Sequence, residues 1–131
     1  MPTEPGRKSE AHQQLLRAIL ASPQFANAES LRRILQYLFD RAMQGEITGV
    51  KEYDIAVTAL RRPDSFDPKA DPIVRVSMGG IRERLRSFFE NEGSNQDLRL
   101  EIPKGQYRVV FHEGEREEKR PRKDDARLRF W

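Results

Sequence analysis

The chain has 131 residues, enough for one domain of ordinary size, and its 37% hydrophobic content is low enough to leave part of it outside a packed core. A net charge of +3, from 24 basic and 21 acidic residues, favours an anionic partner. The absence of cysteine excludes disulfides, thiolate metal ligands and a cysteine nucleophile. No apolar run approaches the roughly 18 residues of a membrane span, so we expect no membrane contact by this segment and a cytoplasmic location.

The amino-terminal part of the chain predicts a short tail and two helices. Residues 1–8 are rich in proline, glycine and charge, which is typical of a flexible tail. A first helix is expected from Ser9 to Ser22–Pro23, and a second between a cap at Asn27 and a stop at Gly45. Their apolar residues recur with the helical period: Leu15, Leu16, Ile19 and Leu20, then Leu31, Ile34, Leu35, Leu38 and Phe39.

The middle of the chain predicts a third and a fourth helix. The third follows Thr48 and ends before Pro63, with Tyr53 expected in the core and its hydroxyl satisfied. An aspartate- and proline-rich connection leads to Asp71, which is placed to cap a helix that runs to about Glu92, with Pro72 at its first position. One face of that helix is apolar: Val74, Met78, Ile81, Leu85 and Phe88. The opposite face carries Arg75, Gly79, Arg82 and Arg86.

After Gly93 the apolar period changes from 3.6 to 2. Two alternating runs, 98–102 and 107–111, are joined by Pro103–Gln106, which predicts a β-hairpin with Lys104 exposed near its tip. Residues 114–131 are mostly charged and lack apolar periodicity, so we expect a charged linker or carboxyl-terminal tail. The prediction is one mainly α domain over residues 9–113 with a carboxyl-terminal β-hairpin, in the α+β class.

Several short motifs occur in a fixed order: Lys51–Val57, Phe66–Pro68, Asp71–Val76, Ile81–Leu85 and Ile102–Tyr107. Together they resemble a bacterial family of winged helix-turn-helix domains, similar to response-regulator output domains and to amino-terminal domains of adenylate-cyclase-like and tetratricopeptide-containing regulators. The resemblance covers roughly Ser22 to Phe111. It implies sequence-specific binding of double-stranded DNA in transcriptional regulation, with the helix after Asp71 as recognition helix in the major groove and the hairpin as a wing on the adjacent backbone or minor groove. The chain departs from its relatives at Gly80, where they commonly have a basic residue.

The residues expected to contact DNA are Arg75, Ser77, Gly79, Arg82, Arg86, Lys104 and Arg108. Arg75 and Arg82 are expected to be the most useful contacts, with Arg82 far enough into the helix to reach base edges, and Arg86 is expected at a phosphate, although a basic helix face is often merely solvated. The Ser77 hydroxyl suits a phosphate, a base or its own helix backbone.

The remaining residues belong to the hairpin and to a glycine pair. Lys104 and Arg108 would touch DNA from the wing. Gly79–Gly80 either allows close approach of a partner or tolerates a crowded helix crossing.

Enzymatic activity is not expected, because the chain has no glycine-rich phosphate cradle and no Gly-x-Ser-x-Gly elbow. His12 and His112 lie far apart without ligand-spaced neighbours, so no metal, cofactor or small-molecule ligand is predicted. The alternative function is a winged-helix protein-interaction or dimerisation module that does not bind DNA. A homodimer on two DNA half-sites also stays open.

Overall fold

The computed structural model describes the backbone of residues 5–113 and the side chains of residues 10–113. Its elements are helices α1 (Pro5–Ala21), α2 (Glu29–Met43), α3 (Glu52–Asp54, continued by a π-helical turn at Ile55–Ala59) and α4 (Ile73–Glu90), then strands β1 (Leu98–Glu101) and β2 (Val110–Glu113). The strands form a small antiparallel sheet, which confirms a mainly α chain with a hairpin. The expected charged segment 114–131 lies outside the described residues.

The first two helices differ from prediction at their starts. Helix α1 begins at Pro5 rather than Ser9, and proline suits a helix start because its missing N–H needs no partner there. The Asn27 cap is wrong: α2 begins at Glu29 after Ala28, which makes no side-chain capping bond. The stop at Gly45 is confirmed, since this residue has φ +99° and its N–H donates to the Ala42 carbonyl at 3.0 Å.

The third helix is shorter and wider than its sequence pattern predicts. After α3 the helix widens into a π-helical turn, in which the Leu60 N–H donates to the Ile55 carbonyl at 3.2 Å. This turn ends at Ala59. The widened turn still buries Ile55 and Ala59. Placing Tyr53 in the core is wrong, because its side chain is exposed, but its hydroxyl is satisfied by donation to the Asp64 carbonyl at 2.8 Å.

Helix α4 is the central core helix. The Asp71 carboxylate accepts the Ile73 N–H at 3.0 Å, so the predicted bond to the first turn forms, but the cap position itself is occupied by Pro72 and the helix starts one residue later than predicted. The predicted apolar stripe is confirmed as buried: Val74, Met78, Ile81, Leu85 and Phe88. The helix ends at Glu90 rather than about Glu92.

The hairpin pairs Leu98 with Glu113 and Glu101 with Val110, leaving residues 102–109 as its loop. The second strand therefore begins later than predicted. The physical reason is that the Tyr107 carbonyl accepts the Val50 N–H at 2.9 Å, so this part of the loop bonds to the segment before α3. The hairpin closes the core with Leu100, Ile102 and Val109, which are all buried. Within residues 5–113 no helix is both long and apolar enough to cross a bilayer.

Candidate functional site

The candidate site combines the outward residues of the amino-terminal half of α4 with the loop 102–109, and is called here the α4–hairpin surface. In this half of α4, Arg75, Val76 and Gly79 are exposed. Val76 is 68% exposed, and a Cβ added at Gly79 would meet no atom within 4 Å. The centre of the surface is therefore open and uncharged.

Arg75 lies at one side of this open centre. Its Nη1 donates to the Glu52 carboxylate at 2.8 Å and to the Pro68 carbonyl at 3.1 Å. The Arg75 side chain nevertheless stays 49% exposed. The paired Glu52 side chain is only 18% exposed, so the Arg75 guanidinium can bind a further anion through its exposed part while it keeps this pair.

Arg82 binds the hairpin loop. Its Nε donates to the Ile102 carbonyl at 3.1 Å, and its Nη2 donates to the carbonyls of Pro103 at 3.1 Å and Gln106 at 3.2 Å. Arg82 is predicted to reach base edges, but two of its three guanidinium nitrogens donate to backbone carbonyls on either side of the loop tip. Sequence reasoning missed this contact, because the partners are main-chain atoms far along the chain.

The loop tip carries the second group of cations. The Gln106 N–H donates to the Pro103 carbonyl at 3.1 Å, and Gly105 has φ +81°, which closes a turn with Lys104 exposed. Lys104 has no ion-pair partner within the part of the chain that the structure describes. The Arg108 Nε donates to the Gln106 side-chain oxygen at 2.5 Å. Behind the tip, burial and the Glu52 carboxylate raise the pKa of Tyr107.

The outward face of the carboxyl-terminal half of α4 is different. Arg86 donates to the carboxylates of Glu83 and Glu90, the latter at 3.1 Å. These two acids, Glu83 first, raise the pKa of the Arg86 guanidinium. The trio carries one positive and two negative charges, so the predicted phosphate contact sits in a net acidic cluster.

The remaining predicted residues separate into buried and exposed positions. Ser77 is buried, so its hydroxyl lies on the core side of α4. A Cβ at Gly80 would lie 3.5 Å from the Leu31 side chain, which is ordinary packing at the crossing with α2. Gly79 alone faces the open surface, so the two adjacent glycines occupy different environments.

Sequence reasoning also missed Val76. The signal was available, because Val76 lies between the buried Val74 and Met78 and is out of phase with the apolar stripe. No cluster of metal-ligating side chains occurs among the residues described. Comparisons with protein-family models, curated proteins and solved structures found no match, so the family resemblance depends on the sequence motifs alone.

Proposed function

We propose that this chain binds double-stranded DNA as a winged helix-turn-helix domain, with α4 as recognition helix in the major groove and the hairpin as wing. One observation carries the proposal: Arg82 bonds the hairpin loop to α4, which brings the loop that carries Lys104 and Arg108 against the helix that carries Arg75 and the exposed Val76 and Gly79. A helix with flanking cations is an arrangement that suits major-groove binding.

Each part of the α4–hairpin surface has a distinct role in this proposal. Arg75 lies in the first turns of α4, where recognition helices contact base edges or nearby phosphates. Gly79 lets the helix backbone approach the DNA closely, and the exposed methyl groups of Val76 suit contact with a thymine methyl. Lys104 and Arg108 bind the adjacent backbone or minor groove. Transcriptional regulation is the biological role that this binding would serve.

The test is binding of the whole chain to a mixed pool of duplex DNA across a range of salt concentrations. We expect affinity to fall steeply as salt rises, and Lys104→Ala to lower the magnitude of the salt slope by roughly one. The matched control is Arg17→Ala, which removes one exposed cation from α1, outside the α4–hairpin surface. Absence of DNA binding at low salt by the folded chain would reject the proposal. Equal losses in the two variants would reject this surface as the binding site.

A protein-interaction module is the second candidate, and the trio Glu83, Arg86 and Glu90 favours it. The net acidic charge of this trio repels phosphates at the carboxyl-terminal end of the outward face of α4. An interface of this type would include the exposed Val76 and would respond weakly to salt. The salt titration therefore separates the two functions.

A further inference from the structure

We propose that Arg82 is a positioning residue, which fixes the hairpin loop against α4 and thereby places Lys104 and Arg108, and that it does not read a base. The consequence for DNA rests on the proposed function. The contact between Arg82 and the loop is observed in the structure, so the positioning of the loop and its effect on DNA binding can be tested separately.

Arg82 bonds both sides of the loop at once, and this set of contacts is called the clamp. Its acceptors, the carbonyls of Ile102, Pro103 and Gln106, lie on both sides of the exposed tip residues Lys104 and Gly105. Ile102 is buried in the core, whereas the tip projects into solvent. A planar guanidinium with donors on separate nitrogens can hold carbonyls in different directions at once, which a single ammonium group does less well. Arg82 therefore closes the base of the loop.

The other bonds that hold the loop are few. Within residues 102–109, the main-chain bonds outside the strands are from the Gln106 N–H to Pro103 and from the Val50 N–H to Tyr107. The loop is thus fixed to α4 by Arg82 on one side and to the segment before α3 on the other. Loss of the Arg82 contacts would leave the loop anchored by the buried Ile102 and Val109 and by the Val50–Tyr107 bond, and the tip between these anchors would be less firmly placed against α4.

The same contacts disfavour base reading by Arg82. A bidentate contact with guanine uses two N–H groups on one edge of the guanidinium. In Arg82, the Nε and Nη2 donors already face loop carbonyls. To reach a base, this side chain would have to release the loop that carries the other cations.

The first arm of the test needs no DNA and follows amide hydrogen exchange in Arg82→Ala. We expect exchange at the Gln106 and Val50 amides to accelerate by about tenfold or more, with the amides of α2 unchanged, because the loop opens locally. The matched control is Arg84→Ala, which removes the same charge from the same helix but whose side chain bonds the Gln24 carbonyl, away from the hairpin. Unchanged exchange at Gln106 and Val50 in the Arg82 variant would overturn the clamp.

The second arm measures DNA binding by Arg82→Ala, Lys104→Ala and the double variant across salt. In the parent chain, Lys104→Ala should reduce the salt slope by about one, whereas in the Arg82→Ala background it should change the slope by about zero. Additive losses would show that Arg82 contacts DNA independently, which would overturn the positioning role.

Arg82→Lys distinguishes a clamp from a phosphate contact, and it serves also if Arg82→Ala does not fold. Lysine keeps the charge and loses the forked donors, so we expect fast exchange at Gln106 and a DNA affinity well below that of the parent. Parent-like affinity and exchange in Arg82→Lys would overturn the proposal. If the parent itself fails to bind DNA, the role in DNA binding falls with the proposed function, and the exchange arm still decides whether the clamp exists.

Discussion

The amino-terminal half of α4 carries one arginine and the carboxyl-terminal half carries three, and the two halves present different outward surfaces. In the amino-terminal half, Ile73–Gly80, the outward face is open, and Arg75 pairs with a carboxylate from another segment. In the carboxyl-terminal half, Ile81–Glu90, Arg86 is enclosed by Glu83 and Glu90 from the same helix. A basic helix in the sequence is therefore only partly a basic surface in the fold.

This difference shows that the partners of a charge decide what it can bind. Arg86 and its two acids lie at i, i+3 and i, i+4 spacing, so their pairing needs only the helix itself and not a distant segment. Arg75 depends on the placement of Glu52 by the fold, and its half-exposed guanidinium can also donate to a phosphate. The amino-terminal half is consequently the better candidate for contact with an anionic partner.

The largest expected effect comes from the residue where the two halves meet. Ile81 is fully buried, so Ile81→Ala should destabilise the fold by about 2–5 kcal/mol through lost burial and the cavity left behind. Denaturant unfolding monitored by circular dichroism measures this change. Val76→Ala is the control on the same helix: because Val76 is exposed, its truncation should alter stability by less than about 0.5 kcal/mol. Equal effects would mean that the two faces of α4 are assigned incorrectly.

The sequence predicts the inward face of α4 well because burial repeats with the geometry of the helix itself. Val74, Met78 and Ile81 follow that period, and all are buried. The bond from the Ile73 N–H to the Asp71 carboxylate is likewise local, and it forms as expected. Periodicity and capping depend on neighbouring residues, which the sequence displays directly.

The role of Arg82 and the shape of the third helix depend on distant atoms. Arg82 bonds carbonyls 20 to 24 residues further along the chain, and no side-chain pattern marks main-chain acceptors. The widening at Ile55–Ala59 replaces the ordinary helical bonds without changing which apolar residues are buried. The apolar periodicity of the sequence therefore does not predict the π-helical turn. The late start of β2 has the same origin, since the Tyr107 carbonyl is engaged by Val50.

The next largest effect on stability comes from replacing two glycines by alanine: Gly79, which faces open space on α4, and Gly93, which lies against a buried ring. Gly79→Ala should stabilise the fold by about 0.5–1 kcal/mol, because alanine suits a helix interior better and its Cβ meets no atom. Gly93 follows α4, and a Cβ there would clash with the buried Phe88 ring, so Gly93→Ala should destabilise the fold by about 1–3 kcal/mol. Thermal unfolding of both variants measures the contrast.

The Gly79 variant also tests contact at the open surface. If DNA approaches the α4 backbone there, the more stable Gly79→Ala variant should bind DNA less tightly than the parent. Gly80→Ala is the control, because its Cβ would lie at ordinary packing distance from Leu31 at the α2 crossing. Unchanged affinity in Gly79→Ala would remove close backbone approach from the proposed interface.

The smallest expected effect comes from removing the two acids that pair with Arg86 in the carboxyl-terminal half of α4. Replacing both Glu83 and Glu90 by glutamine removes two negative charges and releases Arg86, so DNA affinity should rise and the magnitude of the salt slope should increase by up to about one. Stability should change little, because exposed helix pairs contribute only about 0.3–0.5 kcal/mol each.

Adding Arg86→Ala to this variant separates the two causes: a gain that disappears comes from the released guanidinium, whereas a gain that persists comes from reduced repulsion. No gain in the glutamine variant would mean that the carboxyl-terminal half of α4 lies outside the DNA contact, and the interface would then be confined to the amino-terminal half and the hairpin.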